Sequence, residues 1–333
     1  MVERQPDQRV RHGELGRLAF ELSLGEAPGL ARQAREVEAR TRAGERVVRV
    51  AKAAGAEAAE VVRDVDENFG HDGIVQSTPC QYVGMTLATR IQLCGRLVAE
   101  IEGRRVEDAL PGAQERVLFA YLVVNRRRSS GRSELVDVLW PDVVPANPET
   151  ALSALLSKLR RALGPKALEG RSSVRLRLPA ESWVDLEAAA EAIHRGESAI
   201  AQGDWTGAWG PGRVAQHIAG RGFLPGETAP WIDEVRARLE GIYVRALEVT
   251  AQAGLGIGSA ELDTAERSAR SLIACSPYRE SGYRFLMEAL DRRGNTAEAL
   301  TVYEDLRSRL REELGASPGP VTQEVHRRLL GTD

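Results

Sequence analysis

The sequence predicts a mainly α-helical protein with a small β component. Two observations indicate the β component: short segments of alternating apolar residues, bounded by turn formers, lie near residues 90–106 and 167–178. A third indicates the helices: apolar residues recur at helical spacing along most of the chain. After residue 183 the helical pattern is interrupted by glycine-rich breaks, which predicts a series of helices joined by short turns.

The length of 333 residues, with 43% hydrophobic and 28% charged residues, suffices for two or three domains. We predict a helical extension over residues 1–88, a second domain over 89–180 and a third over 181–333. A chain that begins at Met85 would retain the second and third, so the role of the first region stays open.

The first region predicts helices at Glu14–Leu24, Gly29–Thr41 and Glu45–Phe69, followed by a linker over residues 70–84. The chain lacks an apolar leader and any run of about 18 apolar residues. Its three cysteines are few and widely spaced. These features predict a cytoplasmic protein without a membrane partner.

Charge is distributed unevenly along the chain. The formal net charge is -3, yet residues 89–180 carry +6 and the remainder carries -9. A basic module within an acidic chain is typical of a protein in which one domain meets phosphates and another does not.

The second region begins with a predicted sheet over residues 90–106, and three helices follow. The first helix is Ala113–Asn125, with Val117, Leu118, Tyr121, Leu122 and Val124 on its buried side. Ser130 or Ser133 can cap the short second helix, Glu134–Trp140. A proline-rich loop leads to the third helix, Glu149–Leu163, capped near Asn147, and a β-hairpin over residues 167–178 ends the region.

The third helix has two different faces. Its leucines (Leu152, Leu155, Leu156, Leu159 and Leu163) share one side at about 100° per residue. The opposite side carries small, hydroxyl and cationic residues and no acid after Glu149, namely Thr150, Ser153, Ala154, Ser157, Lys158 and Arg161, with Arg160 on the flank. Small residues let a helix enter the major groove of DNA, and hydroxyls and cations can meet bases and phosphates.

Taken alone, this helix is better explained as an ordinary amphipathic helix that has a solvated basic face. Its context favours the first interpretation, because a sheet precedes the three helices and a basic hairpin follows them. This order predicts a winged helix-turn-helix domain.

The third region predicts an all-α domain of tetratricopeptide-like (TPR-like) repeats. A shift of 34 residues aligns Ala265 with Ala299, and about half of the repeat consensus positions match. Predicted helix breaks fall at residues 203–204, 210–212, 226–230, 254–258 and 294–295.

Three segments resemble the SARP family, the Streptomyces antibiotic regulatory proteins. They are Ser133–Trp140 with the third helix through Gly164, Trp183-Val-Asp185, and residues 299–330 with Arg311-Glu-Glu-Leu-Gly315. The family joins an OmpR-like winged helix to a bacterial transcriptional activator domain, and the resemblance covers about 240 residues.

The resemblance implies a sequence-specific DNA-binding activator. The third helix would be the recognition helix, and a loop with Trp140, Asp142, Val143, Val144 and Asn147 would face RNA polymerase holoenzyme. The hairpin would be the wing, although Ser173-Val174 replaces the glycine-aromatic pair that is frequent in the family. The implied partners are double-stranded promoter DNA and the polymerase. Family members commonly bind direct repeats as side-by-side copies, so the resemblance also implies a dimer on DNA.

The predicted DNA-contacting residues fall into three groups. Thr150, Ser153, Ala154, Ser157 and Lys158 would approach bases. The phosphate ligands would be Arg126, Arg127, Arg128, Arg160 and Arg161, and the wing would add Arg171, Arg175 and Arg177.

Other functions have weaker support in the sequence. We predict no cofactor, no metal site and no enzymatic activity, because no residue spacing suits a metal or a catalytic constellation. The glycines at 254–258 lie between helices, which favours a linker over a nucleotide loop. Two rival hypotheses are a protein-interaction scaffold built on the repeats and a ligand sensor lined by Trp205, Trp209 and Trp231; core packing is the simpler role for these tryptophans.

Overall fold

The computed structural model describes the backbone of residues 47–51 and 59–63 and all atoms of residues 89–331. It divides into two units, residues 1–85 and 86–333, and each is described by itself.

In the first unit, strands β1 (Val47–Ala51) and β2 (Ala59–Arg63) pair antiparallel, with Val47 opposite Arg63. The predicted helix Glu45–Phe69 is therefore wrong. The two segments, VVRVA and AEVVR, are rich in valine, whose branched side chain favours a strand over a helix. The predicted helices Glu14–Leu24 and Gly29–Thr41 and the linker over 70–84 lie outside the described residues.

The second unit opens with a four-stranded sheet in the order β5-β4-β3-β9. The predicted strands are confirmed as β3 (Arg90–Gln92), β4 (Val98–Ile101) and β5 (Arg104–Arg105). A fourth strand, β9 (Trp183–Val184), pairs parallel with β3. Two residues are too few to show a strand pattern in the sequence, so this pairing was not predicted.

Three helices pack beside this sheet: α1 (Ala113–Val124), α2 (Arg132–Leu139) and α3 (Pro148–Leu163). Helix α1 is buried on more sides than predicted, since Phe119 and Val123 are also fully buried. The serine cap predicted for α2 is wrong. Gly131 occupies the N-cap position, and its N–H donates to Glu134 at 3.1 Å, whereas Ser130 is a buried strand residue.

A three-stranded sheet in the order β6-β8-β7 confirms the predicted hairpin and adds a strand from before α2. Its members are β6 (Ser130–Gly131), β7 (Leu168–Glu169) and β8 (Ser173–Leu176). Gly170 starts the turn with a φ of +88°, and a Cβ there would lie 1.9 Å from the Ser173 carbonyl oxygen. Glycine is therefore required at this turn.

Seven helices form the rest of the unit. They are α4 (Asp185–Ala201), α5 (Trp205–Ala219), α6 (Pro230–Ile257), α7 (Leu262–Cys275), α8 (Glu280–Arg292), α9 (Thr296–Leu314) and α10 (Pro320–Leu329). Sequential neighbours from α4 to α9 pack against each other, as expected for helical hairpins. None of the described helices is long and apolar enough to cross a membrane.

The predicted helix break at 210–212 is wrong, and the one predicted over 254–258 begins only at Gly258, because the glycines before it serve close helix packing. Helix α5 continues through Pro211, and a Cβ on Gly212 would lie 2.8 Å from Thr250 Oγ1 of α6. Helix α6 continues through Gly256, where a Cβ would lie 2.3 Å from the Trp205 ring. A short stretch of sequence shows a helix-breaking residue. It cannot show which residue of a neighbouring helix occupies the space that a side chain would need.

The hydrophobic core continues from the winged helix into the first helices of the repeat region. Asp185, which is fully buried, accepts hydrogen bonds from the backbone N–H groups of Leu93 and Cys94 at 2.8–3.0 Å. Trp231 of α6 packs edge-on against Tyr121 of α1, with ring centroids 5.0 Å apart. The predicted boundary between residues 180 and 181 thus falls in a turn. The residues before and after this turn contribute to one hydrophobic core. That the two sides are separate domains remains a prediction.

Candidate nucleic-acid interface

Helix α3 presents the two faces that the sequence predicts. All five leucines of its inner face are buried in the core. Thr150, Ser153, Ala154 and Ser157 are exposed on the outer face, together with Lys158 and Arg161. Glu149 is the only acid of the helix and stands in its first turn, where a carboxylate suits the helix dipole. The outer face is therefore open to solvent and free of acids beyond its first turn.

The serines of this face satisfy their donors within the helix. Ser153 Oγ donates to the Glu149 carbonyl at 2.7 Å, and Ser157 Oγ donates to the Ser153 carbonyl at 2.8 Å. A hydroxyl has one donor and two acceptor lone pairs. Both serine hydroxyls therefore keep lone pairs that can accept a hydrogen bond from a group outside the helix.

Lys158 has a structural partner that the sequence did not indicate. Its Nζ lies 2.6 Å from Oε1 of Glu115, a buried residue that also accepts the Gly112 N–H at the start of α1. This hydrogen bond to Lys158 is the main cause that lowers the pKa of Glu115. Lys158 therefore stabilises the contact between α3 and α1, although its side chain is still 58% exposed.

The arginines that follow α1 differ from one another. Arg126 forms a two-pronged ion pair with Glu187 of α4 at 2.7 and 2.8 Å. Arg128 donates to Glu134 and to the Tyr121 hydroxyl, and its hydrogen bonds lower the pKa of Glu134 to about 2. Arg127 is 85% exposed and lies 3.5 Å from Glu187. Arg127 has the most exposed side chain of the three, since Arg128 is 51% exposed and Arg126 is 19% exposed.

The wing arginines also differ in what they contact. Arg175 donates to the carbonyls of Arg126 and Arg127 at 3.2 and 3.0 Å, and Arg177 pairs with Glu169 at 2.7 Å. The side chain of Arg171, at the tip of the turn, is exposed and has no polar partner within residues 89–331.

The two arginines at the end of α3 also differ in what their side chains contact. Arg160 reaches the wing, where its Nη2 donates to the Gly170 carbonyl at 2.9 Å. Arg161 is exposed, and no polar side-chain contact is found for it in the described part of the chain.

Sequence reasoning missed Arg132, the first residue of α2. Its guanidinium contacts Glu149 and Ser153 on α3 and the Arg171 carbonyl on the wing. No sequence pattern signals such a residue, because its partners lie 17 to 39 positions away.

The loop between α2 and α3 divides into a buried and an exposed part. Trp140 is 9% exposed and anchors the end of α2 in the core. Val143 and Val144 are 79% and 54% exposed, and Asp142 and Asn147 are also exposed. Two adjacent exposed valines are an unusual use of apolar side chains and suit a protein contact.

The repeat region carries an open groove of about 690 Å³ over α7, α8 and α9. Its apolar floor includes Ile273, Leu286 and Val302, and charged residues line its rim. Trp231 and Trp209 pack into the hydrophobic clusters, and Trp205 lies against Gly256 of α6. No group of three histidine, cysteine or acidic residues with metal-site geometry is found among the described residues.

The fold and the site define a winged-helix protein with an attached helical-repeat region. Residues 184–330 match the family model of the bacterial transcriptional activator domain. This match and the relatives AfsR, EmbR and RedD show that the chain is homologous to transcriptional regulators of the SARP family.

The regulatory protein AfsR of Streptomyces coelicolor is 33% identical over 247 residues, which are 74% of this chain and 24% of AfsR. The transcriptional regulatory protein EmbR of Mycobacterium tuberculosis is 27% identical over 254 residues, 72% of this chain and 62% of EmbR. This chain thus spans about a quarter of the length of AfsR.

A solved structure, EmbR of Mycobacterium tuberculosis in complex with a low affinity phosphopeptide, shares the fold. It superimposes with a TM-score of 0.65 at 23% identity and covers 74% of this chain and 65% of that chain.

Proposed function

We propose that this protein is a sequence-specific DNA-binding transcriptional activator whose helix α3 enters the major groove. The observation that carries the proposal is the exposed outer face of α3, which presents small residues, hydroxyl acceptors and a free cation. Its relatives are named as regulators of transcription. A solvated face of this composition matches the requirements of base readout.

Each class of residue has its own role in the proposed complex. Thr150, Ser153, Ala154 and Ser157 approach base edges, while Arg127, Arg161 and Arg171 bind phosphates because their guanidinium groups face solvent. Arg126, Arg128, Arg175 and Arg177 support the fold through the contacts described above. Each phosphate contact releases counterions, so binding weakens steeply with salt.

The exposed valines of the α2–α3 loop contact RNA polymerase holoenzyme in this proposal. Val143→Ser/Val144→Ser leaves the core intact, since both side chains are exposed. In a transcription assay with purified polymerase, we expect this variant to bind DNA normally and to lose most of its activation.

In the proposed complex, two copies of the protein bind side by side on direct repeats. The proposal also places the protein in the cytoplasm, because promoters are cytoplasmic in bacteria, and it assigns the protein no enzymatic activity.

The test of DNA binding uses one charge placed on the outer face of α3. Ala154→Glu adds a carboxylate at an exposed helix position, and Ala237→Glu adds the same group at an exposed position of α6. Fluorescence anisotropy with promoter DNA of the protein's own gene cluster should show at least about 100-fold weaker binding for Ala154→Glu. Ala237→Glu should bind as the wild type does, and both should unfold at the wild-type temperature.

Equal affinity of the two variants would contradict the assignment of α3. That result would favour a second candidate function, a scaffold that binds a peptide in the groove over α7, α8 and α9. In that case the wild type would show no preference for promoter DNA over random DNA of equal length.

A further inference from the structure

We propose that Arg132 is a positioning residue that sets the base preference of the DNA interface by fixing Ser153 as a hydrogen-bond acceptor. This inference rests on the proposed function and assigns a specificity determinant within the same site. Arg132 belongs to α2, and its effect on DNA is exerted through α3 and the wing.

The guanidinium of Arg132 joins three parts of the interface. Its Nε donates to Glu149 Oε2 at 2.6 Å, and its Nη2 donates to the Glu149 carbonyl at 3.2 Å and to Ser153 Oγ at 2.8 Å. Its Nη1 lies 3.5 Å from the Arg171 carbonyl at the wing tip. A guanidinium has five N–H donors, so these contacts engage four of them. Little donor capacity remains for a phosphate, which agrees with a side chain that is 24% exposed.

The first consequence concerns Ser153. Its hydroxyl proton is donated to the Glu149 carbonyl, and one lone pair accepts from Arg132. One lone pair is left, and it can accept a hydrogen bond but offers no donor. In the major groove, adenine and cytosine present amino donors, whereas the carbonyls of guanine and thymine require a donor. The strand that Ser153 faces should therefore carry adenine or cytosine at that position.

The second consequence concerns Glu149, the one acid of α3. The contact with Arg132 neutralises this carboxylate at the point where α3 would approach the DNA backbone. Without Arg132, the carboxylate would repel phosphates, and Ser153 would be free to rotate and to donate. Loss of Arg132 should thus weaken binding and, separately, abolish the preference for an amino-bearing base.

The experiment measures base preference and affinity together. A set of promoter duplexes with every single-base substitution across the bound site is titrated by anisotropy with the wild type, Arg132→Ala, Arg132→Lys and Ser153→Ala. We expect the wild type to prefer adenine or cytosine at one position by about fivefold. Ser153→Ala and Arg132→Ala should both lose this preference, and the preferences at the other positions should remain.

Two variants, one of them a double substitution added to this set, separate charge from positioning. Arg132→Lys can neutralise Glu149 but cannot also hold Ser153 and the two carbonyls, so it should regain affinity without the preference. Arg132→Ala/Glu149→Gln should do the same, because it removes the carboxylate along with its partner. Recovery of affinity in either variant also shows that the fold is intact.

The matched control is Arg236→Ala in α6. Arg236 also makes several hydrogen bonds at once, in its case to the backbone carbonyls of Phe223, Leu224 and Glu227, but it lies in the repeat region. Its loss should lower the unfolding temperature and leave every base preference unchanged.

Two results would overturn the inference. Arg132→Ala could weaken all duplexes equally and so keep the preference that Ser153→Ala loses. The salt slope of Arg132→Ala/Glu149→Gln, which leaves no unpaired carboxylate, could also fall by about 0.9, which would make Arg132 a phosphate ligand. If the wild type itself discriminates among no duplexes, the proposed function is wrong and the inference fails with it. If the wild type discriminates and Arg132→Ala discriminates equally, the inference alone fails.

Discussion

Arg126 and Arg128, which follow α1, carry the same charge as Arg161 at the end of α3, yet their surroundings differ. Arg126 and Arg128 are paired with Glu187 and Glu134 inside the second unit. Arg161, in contrast, extends into solvent from the last turn of α3. In the sequence these residues are indistinguishable parts of one basic region.

A basic region therefore contains two populations of cations. One population is already paired with carboxylates in the folded protein, and it can bind a phosphate only after it gives up a carboxylate. The other population has its charge available, and counterion release on DNA binding comes from it. The 16 lysine and arginine residues of residues 89–180 include both populations, so this number overstates how many cations can meet DNA.

The largest effect is expected at a residue used entirely by the fold. Asp185→Ala removes a buried carboxylate and leaves the N–H groups of Leu93 and Cys94 without an acceptor. Buried donors without partners cost on the order of 1–3 kcal/mol each, so the free energy of unfolding should fall by about 3 kcal/mol. Urea denaturation followed by circular dichroism measures this change. A loss below about 1 kcal/mol would show that the junction does not depend on Asp185.

A smaller effect is expected for the ion pair between Arg126 and Glu187. Both side chains are partly exposed, so each single alanine variant should lower the free energy of unfolding by about 1.5 kcal/mol. The double variant should lose little more than either single one, because both remove the same interaction. Strictly additive losses in this double-mutant cycle would mean that the two residues act independently.

A third prediction concerns acid and the pair of Arg128 and Glu134. The pKa of Glu134 is lowered to about 2 in the folded protein, chiefly by the hydrogen bond from Arg128. A lowered pKa stabilises the fold above the unfolded value of about 4.3, and this contribution is lost as the pH falls toward 2. With solvent screening it amounts to about 1 kcal/mol.

Glu134→Gln tests this prediction by denaturation between pH 7 and pH 2. The variant should be about 1 kcal/mol less stable than the wild type at pH 7, and the difference should approach zero near pH 2. A difference that stays constant over this range would assign the effect to packing rather than to charge.

Much of the architecture could be predicted, because it depends on local patterns. The inner leucines of α3 follow the helical period, and Gly164 marks the end of the helix. The hairpin of β7 and β8 was also predictable from its glycine turn and alternating residues. These signals lie within windows of about 15 residues, where periodicity is informative.

The rest depends on contacts that no local window contains. The strand at Trp183 forms by pairing with β3, about 90 positions earlier in the chain. Gly212 and Gly256 resemble helix breakers, but their lack of a side chain lets Thr250 and Trp205 pack closely against them. In the site, Lys158 and Arg132 acquire their roles from partners on other helices. Sequence therefore predicted which face of α3 is exposed, but not which of its polar groups are already used.

The comparison between the two arginine populations can be tested by one measurement, the salt dependence of DNA binding. The logarithm of the affinity is plotted against the logarithm of the salt concentration for the wild type, Arg161→Ala and Arg128→Ala. Loss of one phosphate contact should reduce the slope by about 0.9. We predict this reduction for Arg161→Ala and a wild-type slope for Arg128→Ala, which should instead be less stable. A reduced slope for Arg128→Ala together with an unchanged slope for Arg161→Ala would contradict the account.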